Sequence, residues 1–333
     1  MTQRATTAGY TRREILATFG AATLAGVGKA SAADRQKEMR GVFPIMATPY
    51  TDSNVVDYED LAREVEFLDR CGVPGMAWPQ LFGETFKLTP QERKRGMEEI
   101  VKAAKGRKPA IVLGVDGPDL PAAMDYLRHA ESLNPDALIA LPPWEAKSSA
   151  ELIPYYRALA GATGKPFFIQ NAEVVKGVKL EIPVLVELAR EFPHCGYFKE
   201  EVQPTIPRMQ ELSRRRPPVQ RVFAGEGGRK LFYLMRLGLD GCMAGNAYAD
   251  AFVQVWDLFH AGQARQAQEI YARILLMLDC ESYLRGTRQY ILKKRGVFKT
   301  MLSRREEFSL SGEAIREIDF HFEALKPHLK GRA

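Results

Sequence analysis

From residue 41 to about residue 260, short apolar runs alternate with amphipathic segments, and this alternation leaves the chain few architectures. The runs are "GVFPIMATP" (41–49), "GMAWPQ" (75–80), "AIVLGV" (110–115), "ALIALPP" (137–143), "PFFIQN" (166–171), "GYFKE" (196–200), "RVFAG" (221–225) and "GCMAG" (241–245). Between them, stretches such as "YEDLAREVEFLDRCG" and "IPVLVELAREF" repeat apolar residues at three- and four-residue spacing, as a helix packed on one face does. "DYEDL" and "LTPQE" set Asp or Thr ahead of an acidic first turn, which marks helix starts.

The runs lack the apolar–polar alternation of a sheet with one wet face, so parallel strands buried on both sides are expected. Closed on itself, that pattern is an α/β (β/α)8 TIM barrel of about 250 residues. The rival is a doubly wound open sheet, but no G-x-G-x-x-G follows the first run. The barrel is therefore assigned to residues 33–250. Beyond it, "DAFVQVWDLFHAG", "ARQAQEIYARILLMLDCESYLR" and "SGEAIREIDFHFEALKPHLK" read as a C-terminal helical extension over 251–333.

Residues 1–32 have a different character. Arg12 and Arg13 precede a modest apolar run from Ile15 to Gly28, and Ala30-Ser31-Ala32 forms a small-x-small site. This is the layout of a twin-arginine signal peptide cut after Ala32, with an N-terminal amphipathic helix as the other reading. Export implies the twin-arginine translocase as a transient partner and a periplasmic or otherwise extracytoplasmic location. The net charge of +6 falls to +3 once residues 1–32 are removed, which does not indicate a nucleic-acid-binding protein. Cys71, Cys195, Cys242 and Cys280 show no CxxC pair and no clustering with the five histidines, so neither a metal site nor a disulfide is expected.

Functional residues of such a barrel stand at the C-terminal ends of its strands. Lys199 closes the sixth run, directly before Glu200 and Glu201. An amine in an apolar mouth is penalised in its charged form and can attack a carbonyl. The alternative is a lysine paired with Glu200, Glu201 or a loop carboxylate.

In order and spacing, "PIMATPYTDSNVVDYEDL", "FGETFKLTPQER", "DALIALPPW", "PFFIQN", "YFKE", "GLDGCMAGNA" and "KKRG" resemble the dihydrodipicolinate synthase and N-acetylneuraminate lyase family of class I, Schiff-base-forming aldolases. The resemblance covers residues 41 to 300. It implies a barrel followed by three helices, usually a homotetramer, whose strand-six lysine forms an imine with pyruvate or another 2-oxo acid. Lys199 falls on that lysine. The protonated imine serves as electron sink, so no metal or organic cofactor is implied.

Other positions depart from the family. Its Gly-Thr-Thr-Gly-Glu loop, which holds the 2-oxo acid carboxylate, becomes Gln80-Leu81-Phe82-Gly83-Glu84; backbone N–H groups at the turn can still bind a carboxylate. Its Tyr-Asn after strand five becomes Gln170-Asn171, and a carboxamide cannot relay protons by ionising. The expected arginine falls on Val175 and the paired tyrosines on Trp144-Glu145. Glu173, just past strand five, is the preferred substitute acid or base, with Glu145 and Tyr50 as further candidates. Leu81, Phe82, Gly83, Gln170, Asn171, Glu226, Gly245 and Asn246 are assigned to substrate binding.

Two functions follow. The first is a lysine-dependent lyase, aldolase or hydro-lyase acting on a 2-oxo acid or related carbonyl compound. The second is a catalytically degenerate barrel that binds a small molecule outside the cytoplasm. A homo-oligomer is expected in either case.

Overall fold

A computed structural model describes residues 37–330; the signal peptide read over residues 1–32 lies outside them. Eight strands form: β1 (Gly41–Val42), β2 (Gly75–Trp78), β3 (Ala110–Gly114), β4 (Ala137–Ala140), β5 (Phe167–Asn171), β6 (Tyr197–Glu200), β7 (Arg221–Gly227) and β8 (Gly241–Ala244). All pair in parallel, in the order β1-β8-β7-β6-β5-β4-β3-β2. Ile45, just past β1, bridges Ala77 on one side and Gly245 on the other, and this closes the barrel.

The helices between strands are α1 (Tyr58–Cys71), α2 (Pro90–Ala104), α3 (Leu120–Leu133), α4 (Leu152–Gly161), α5 (Ile182–Glu191), α6 (Thr205–Arg214) and α7 (Leu231–Arg236), with α8 (Ala249–His260) after β8. Both anticipated helix starts are capped. The Asp57 carboxylate accepts from the Glu59 and Asp60 amides at α1, and Thr89 and Glu92 form a reciprocal box at α2. The boundary expected at residue 250 falls in the first turn of α8, which packs on β1 and so belongs to the barrel. The extension proper is α9 (Ala264–Tyr283), α10 (Thr287–Lys294) and α11 (Gly312–Leu325). All four cysteines are buried and free.

Strand parity divides the core in two. Phe43, Ile45, Ala77, Val112, Ile139, Phe168, Phe223 and Met243 fill the barrel interior, while residues of the opposite parity, such as Trp78, Leu113, Ile169 and Phe198, pack beneath the helices. Phe223 meets Phe43 and Phe168 edge-on at centroid distances of 5.3 and 5.2 Å, and Tyr197 lies 5.2 Å from Phe168. A Cβ on Gly241 would stand 2.6 Å from the Phe223 ring, so the aromatic layer needs glycine there. These rings form an apolar floor two residues below Lys199 on β6.

Candidate active site

Because Tyr197 faces the interior, Lys199 and Glu201 share that direction, while Phe198 and Glu200 face the helices. Lys199 is 4% exposed and lines a cavity of about 390 Å³ at the C-terminal mouth of the barrel. Ile45, Gln80, Leu81, Phe82, Phe86 and Glu201 line it too, with Glu84, Lys87, Glu226 and Arg305.

Within it, the Lys199 ammonium lies 3.2 Å from Glu201 Oε2. Both readings of Lys199 hold in part: it is paired with Glu201, and the pair lies inside the cavity. Gln170 stands opposite Lys199 in the β5–β6 register, and its Nε2 donates to the same Glu201 oxygen. The Glu226 amide donates to Glu201 Oε1 at 3.2 Å. A Cβ on Gly225 would stand only 1.8 Å from that oxygen, so glycine is what lets Glu201 lie against β7.

The rim is built by a segment from far along the chain. Arg295 pairs with Asp250 at 2.7 Å beneath the barrel helices, and Lys299 pairs with Asp57 at 3.0 Å. Thr300 donates to the Tyr50 carbonyl at 2.6 Å. Next, the Ser303 hydroxyl and the Arg304 amide donate to Glu84 at 2.6 and 2.9 Å, and Arg304 pairs with Glu92 at 2.7 Å. This series of contacts carries Arg305 over the mouth. Among the described residues no carboxylate holds Arg305, whereas its neighbour Arg304 is taken by Glu92 and Arg285 by Glu306.

The residues assigned from sequence divide by parity and loop conformation. Lys199, Leu81, Phe82 and Glu226 line the cavity, and Gln170 reaches it through Glu201. Phe82 also stacks under the Arg288 guanidinium at 4.1 Å. Gly83 is buried, its carbonyl accepting from the Thr48 hydroxyl. Glu226 accepts from Gln203 at 3.0 Å and pairs with Lys230 at 2.7 Å.

Others lie apart from Lys199. Asn171 has the outward parity and donates to Glu200 and to the Leu180 carbonyl, both at 2.9 Å. Asn246 likewise faces α1, donating to Glu64 at 2.6 Å, and Gly245 backs onto the Arg288 guanidinium. Glu173 is exposed, pairs with Lys179 at 3.1 Å and accepts from the Gly177 amide, and does not line the cavity. Glu145 lines a separate groove with Pro118 and Tyr155. The Tyr50 hydroxyl is bound to Glu84 at 3.1 Å, and burial, then the Glu84 charge, raise its phenol above the ordinary value.

The sequence offers Glu201 only as a possible ion-pair partner of Lys199, although the i, i+2 rule on a strand also places it on the cavity side once Lys199 is chosen. Gln80, which closes the second run, was open to the same strand-end argument. No local pattern marks Arg305. Among the described residues, no cluster of three His, Cys, Asp or Glu side chains could hold a metal ion.

The family model described as the dihydrodipicolinate synthetase family matches residues 38–307. An L-2-keto-3-deoxyarabonate dehydratase of Azospirillum brasilense is 26% identical over 265 residues, which is 78% of this chain and 85% of that protein. A 4-hydroxy-tetrahydrodipicolinate synthase of Parabacteroides distasonis is 29% identical over 236 residues, 70% of this chain and 78% of that one. Among solved structures, dihydrodipicolinate synthase of Rhodopseudomonas palustris superposes with a TM-score of 0.78 at 24% identity, covering 87% of this chain and 98% of that one. The synthase of Aquifex aeolicus gives 0.76 at 21% identity, covering 88% of this chain and all (100%) of that one.

Proposed function

From the premise that this chain belongs to the dihydrodipicolinate synthetase family, we propose that it is a Schiff-base lyase that uses Lys199 on a 2-oxo acid. The observation that carries this reading is the amine itself, nearly fully buried near the end of β6 and lining the cavity above an apolar aromatic floor. Attack of its lone pair on the C2 carbonyl, with loss of water, gives a protonated imine that withdraws electrons from C3.

The polar groups of the cavity support an anionic, hydroxylated substrate. Glu84, Glu201 and Glu226 are each occupied by donors from the protein, whereas Arg305 is free to bind a carboxylate. Gln80 lines the cavity, and its buried Oε1 has no hydrogen-bond partner, so it can accept from a substrate hydroxyl. A 3-deoxy-2-oxo sugar acid, the kind of substrate named for the Azospirillum dehydratase, suits these groups, and in our reading water is lost across its C3–C4 bond.

The test is intact-mass analysis after borohydride reduction in the presence of pyruvate and of 3-deoxy-2-oxo sugar acids, beside Lys199→Ala. An adduct that maps to Lys199 and is absent from the variant supports the reading. A folded protein that traps none of these compounds overturns it in favour of a binding role.

We also place this activity in the periplasm, after export by the twin-arginine translocase, on the basis of Arg12, Arg13 and Ala30-Ser31-Ala32. N-terminal sequencing of protein from the periplasmic fraction should begin at Ala33; a chain that retains residues 1–32 in the cytoplasm counts against export. Exposed Leu275, Leu276 and Tyr283 on α9 support a homo-oligomer, a tetramer in our reading, which light scattering would measure.

A further inference from the structure

Resting on the imine chemistry of Lys199, we propose that Glu201 is the catalytic acid and base of this site, moving the protons both for imine formation and at C3 of the bound substrate. Three observations point to it. Its Oε2 is 3.2 Å from the Lys199 nitrogen, within direct proton-transfer distance of the atom that becomes the imine. It belongs to the cavity lining, so it faces the substrate that the amine holds. And its orientation is fixed from three sides, by Gln170 on β5, the Glu226 amide on β7 and Lys199 on its own strand.

The sequence of steps balances with these groups alone. Glu201 carboxylate takes one proton from the Lys199 ammonium, and the freed lone pair adds to C2 of the 2-oxo acid. Glu201 gives that proton to the alkoxide formed at C2 and takes a second from the nitrogen; the carbinolamine hydroxyl then leaves as water with this second proton, and the nitrogen keeps the third as the iminium. The Glu201 carboxylate, beside the iminium nitrogen, removes a C3 proton. The C3–H electron pair becomes the C2=C3 bond, and the iminium π pair moves to nitrogen, giving the enamine. When C4 carries a hydroxyl, Glu201 delivers the C3 proton to it; the enamine nitrogen pushes the pair back, the C4–O bond breaks and water departs.

This assignment gives Gln170 a definite role as a positioning residue. A carboxamide cannot carry the proton, but its Nε2–H holds the carboxylate that does. It also explains why Glu173 is not needed at the reacting centre.

The experiment is solvent-deuterium exchange into the methyl group of pyruvate, followed by NMR, alongside borohydride trapping, with wild type, Glu201→Gln and Glu201→Asp. Wild type should trap pyruvate on Lys199 and exchange its methyl protons. Glu201→Gln should still trap pyruvate on long incubation but exchange about 100-fold or more slowly, the usual worth of a general base. Glu201→Asp keeps the carboxylate and should recover part of the exchange, which a merely structural defect would not allow. Exchange in Glu201→Gln within a few-fold of wild type, with trapping intact, overturns the role of Glu201 alone. Absence of trapping in the wild type overturns the imine reading and this proposal with it.

Discussion

Lys199 and Glu201 stand two residues apart at the end of one strand, and their charged groups meet at 3.2 Å inside the barrel. An ion pair of this kind on a surface is worth little. Here both members line the same cavity, and the geometry that pairs them also aims them at a common ligand.

The pairing depends on a glycine on the neighbouring strand. In Gly225→Ala the new methyl group would occupy the position of Glu201 Oε1, so the carboxylate must swing away. Borohydride trapping of pyruvate at Lys199 should survive, while methyl exchange falls about 10-fold or more, following the loss of a positioned base. Equal exchange in variant and wild type would show that Glu201 need not lie against β7.

Removing the rim cation acts on binding instead. In Arg305→Ala, the pyruvate concentration for half-maximal trapping should rise about 10-fold, the cost of one charge-assisted hydrogen bond to a carboxylate, with the trapped fraction at saturation unchanged. A titration followed by intact mass measures both. A drop in the saturating fraction with no shift in midpoint contradicts a binding role.

Glu173, the acid–base candidate of the sequence reading, is held by Lys179 and the Gly177 amide outside the cavity. Glu173→Ala should change pyruvate exchange by less than about twofold, as surface changes away from a reacting centre do.

Glu64 gives the fold a pH dependence of known sign. It is wholly buried under the barrel mouth, accepts from Asn246 at 2.6 Å and from the Ala47 amide at 3.1 Å, and burial raises its carboxyl to about 8. The folded state therefore binds this proton more tightly than the unfolded chain. Its stabilising effect is complete below the unfolded value of 4.5 and is lost as the pH rises toward 8. Urea unfolding should show stability declining across that interval, by at most about 1.4 kcal/mol per pH unit from this one group. Glu64→Gln should flatten the decline; an unchanged slope would assign it to other groups.

At the start of α1, Asp57 caps the helix and also receives Lys299 from the rim segment. Asp57→Ala should cost about 1 kcal/mol or somewhat more in urea unfolding, the usual loss for a helix cap. A change within about 0.5 kcal/mol, the range of an ordinary surface substitution, would show that neither contact matters.

Much of this was open to a reader of the sequence. Eight apolar runs without polar alternation are compatible with few sheets, and the "YFKE" run places its lysine at a strand end, where the barrel presents its chemistry. Residues near strand ends are not equivalent, because side chains alternate in direction along the strand. Asn171 closes β5 and Asn246 stands two residues past β8, both on the parity opposite to Lys199, and so they turn toward the helices. Period-two reasoning carried from Tyr197 would have moved attention from Glu173 to Glu201.

What the sequence determined by itself is local: where strands and helices form, which helices are capped, and that a lysine stands near the end of the sixth strand. These depend on residue spacing and near-neighbour hydrogen bonds, which a linear string contains. Tertiary structure alone decided the company of that lysine. Barrel closure brings Gln170, Gly225 and Glu226 from adjacent strands onto one carboxylate. The run of contacts from Arg295 to Arg304 swings Arg305 over the mouth. Contacts between residues so far apart in the chain carry no periodic trace, because their geometry is set by the packing of whole elements rather than by the residues that flank them.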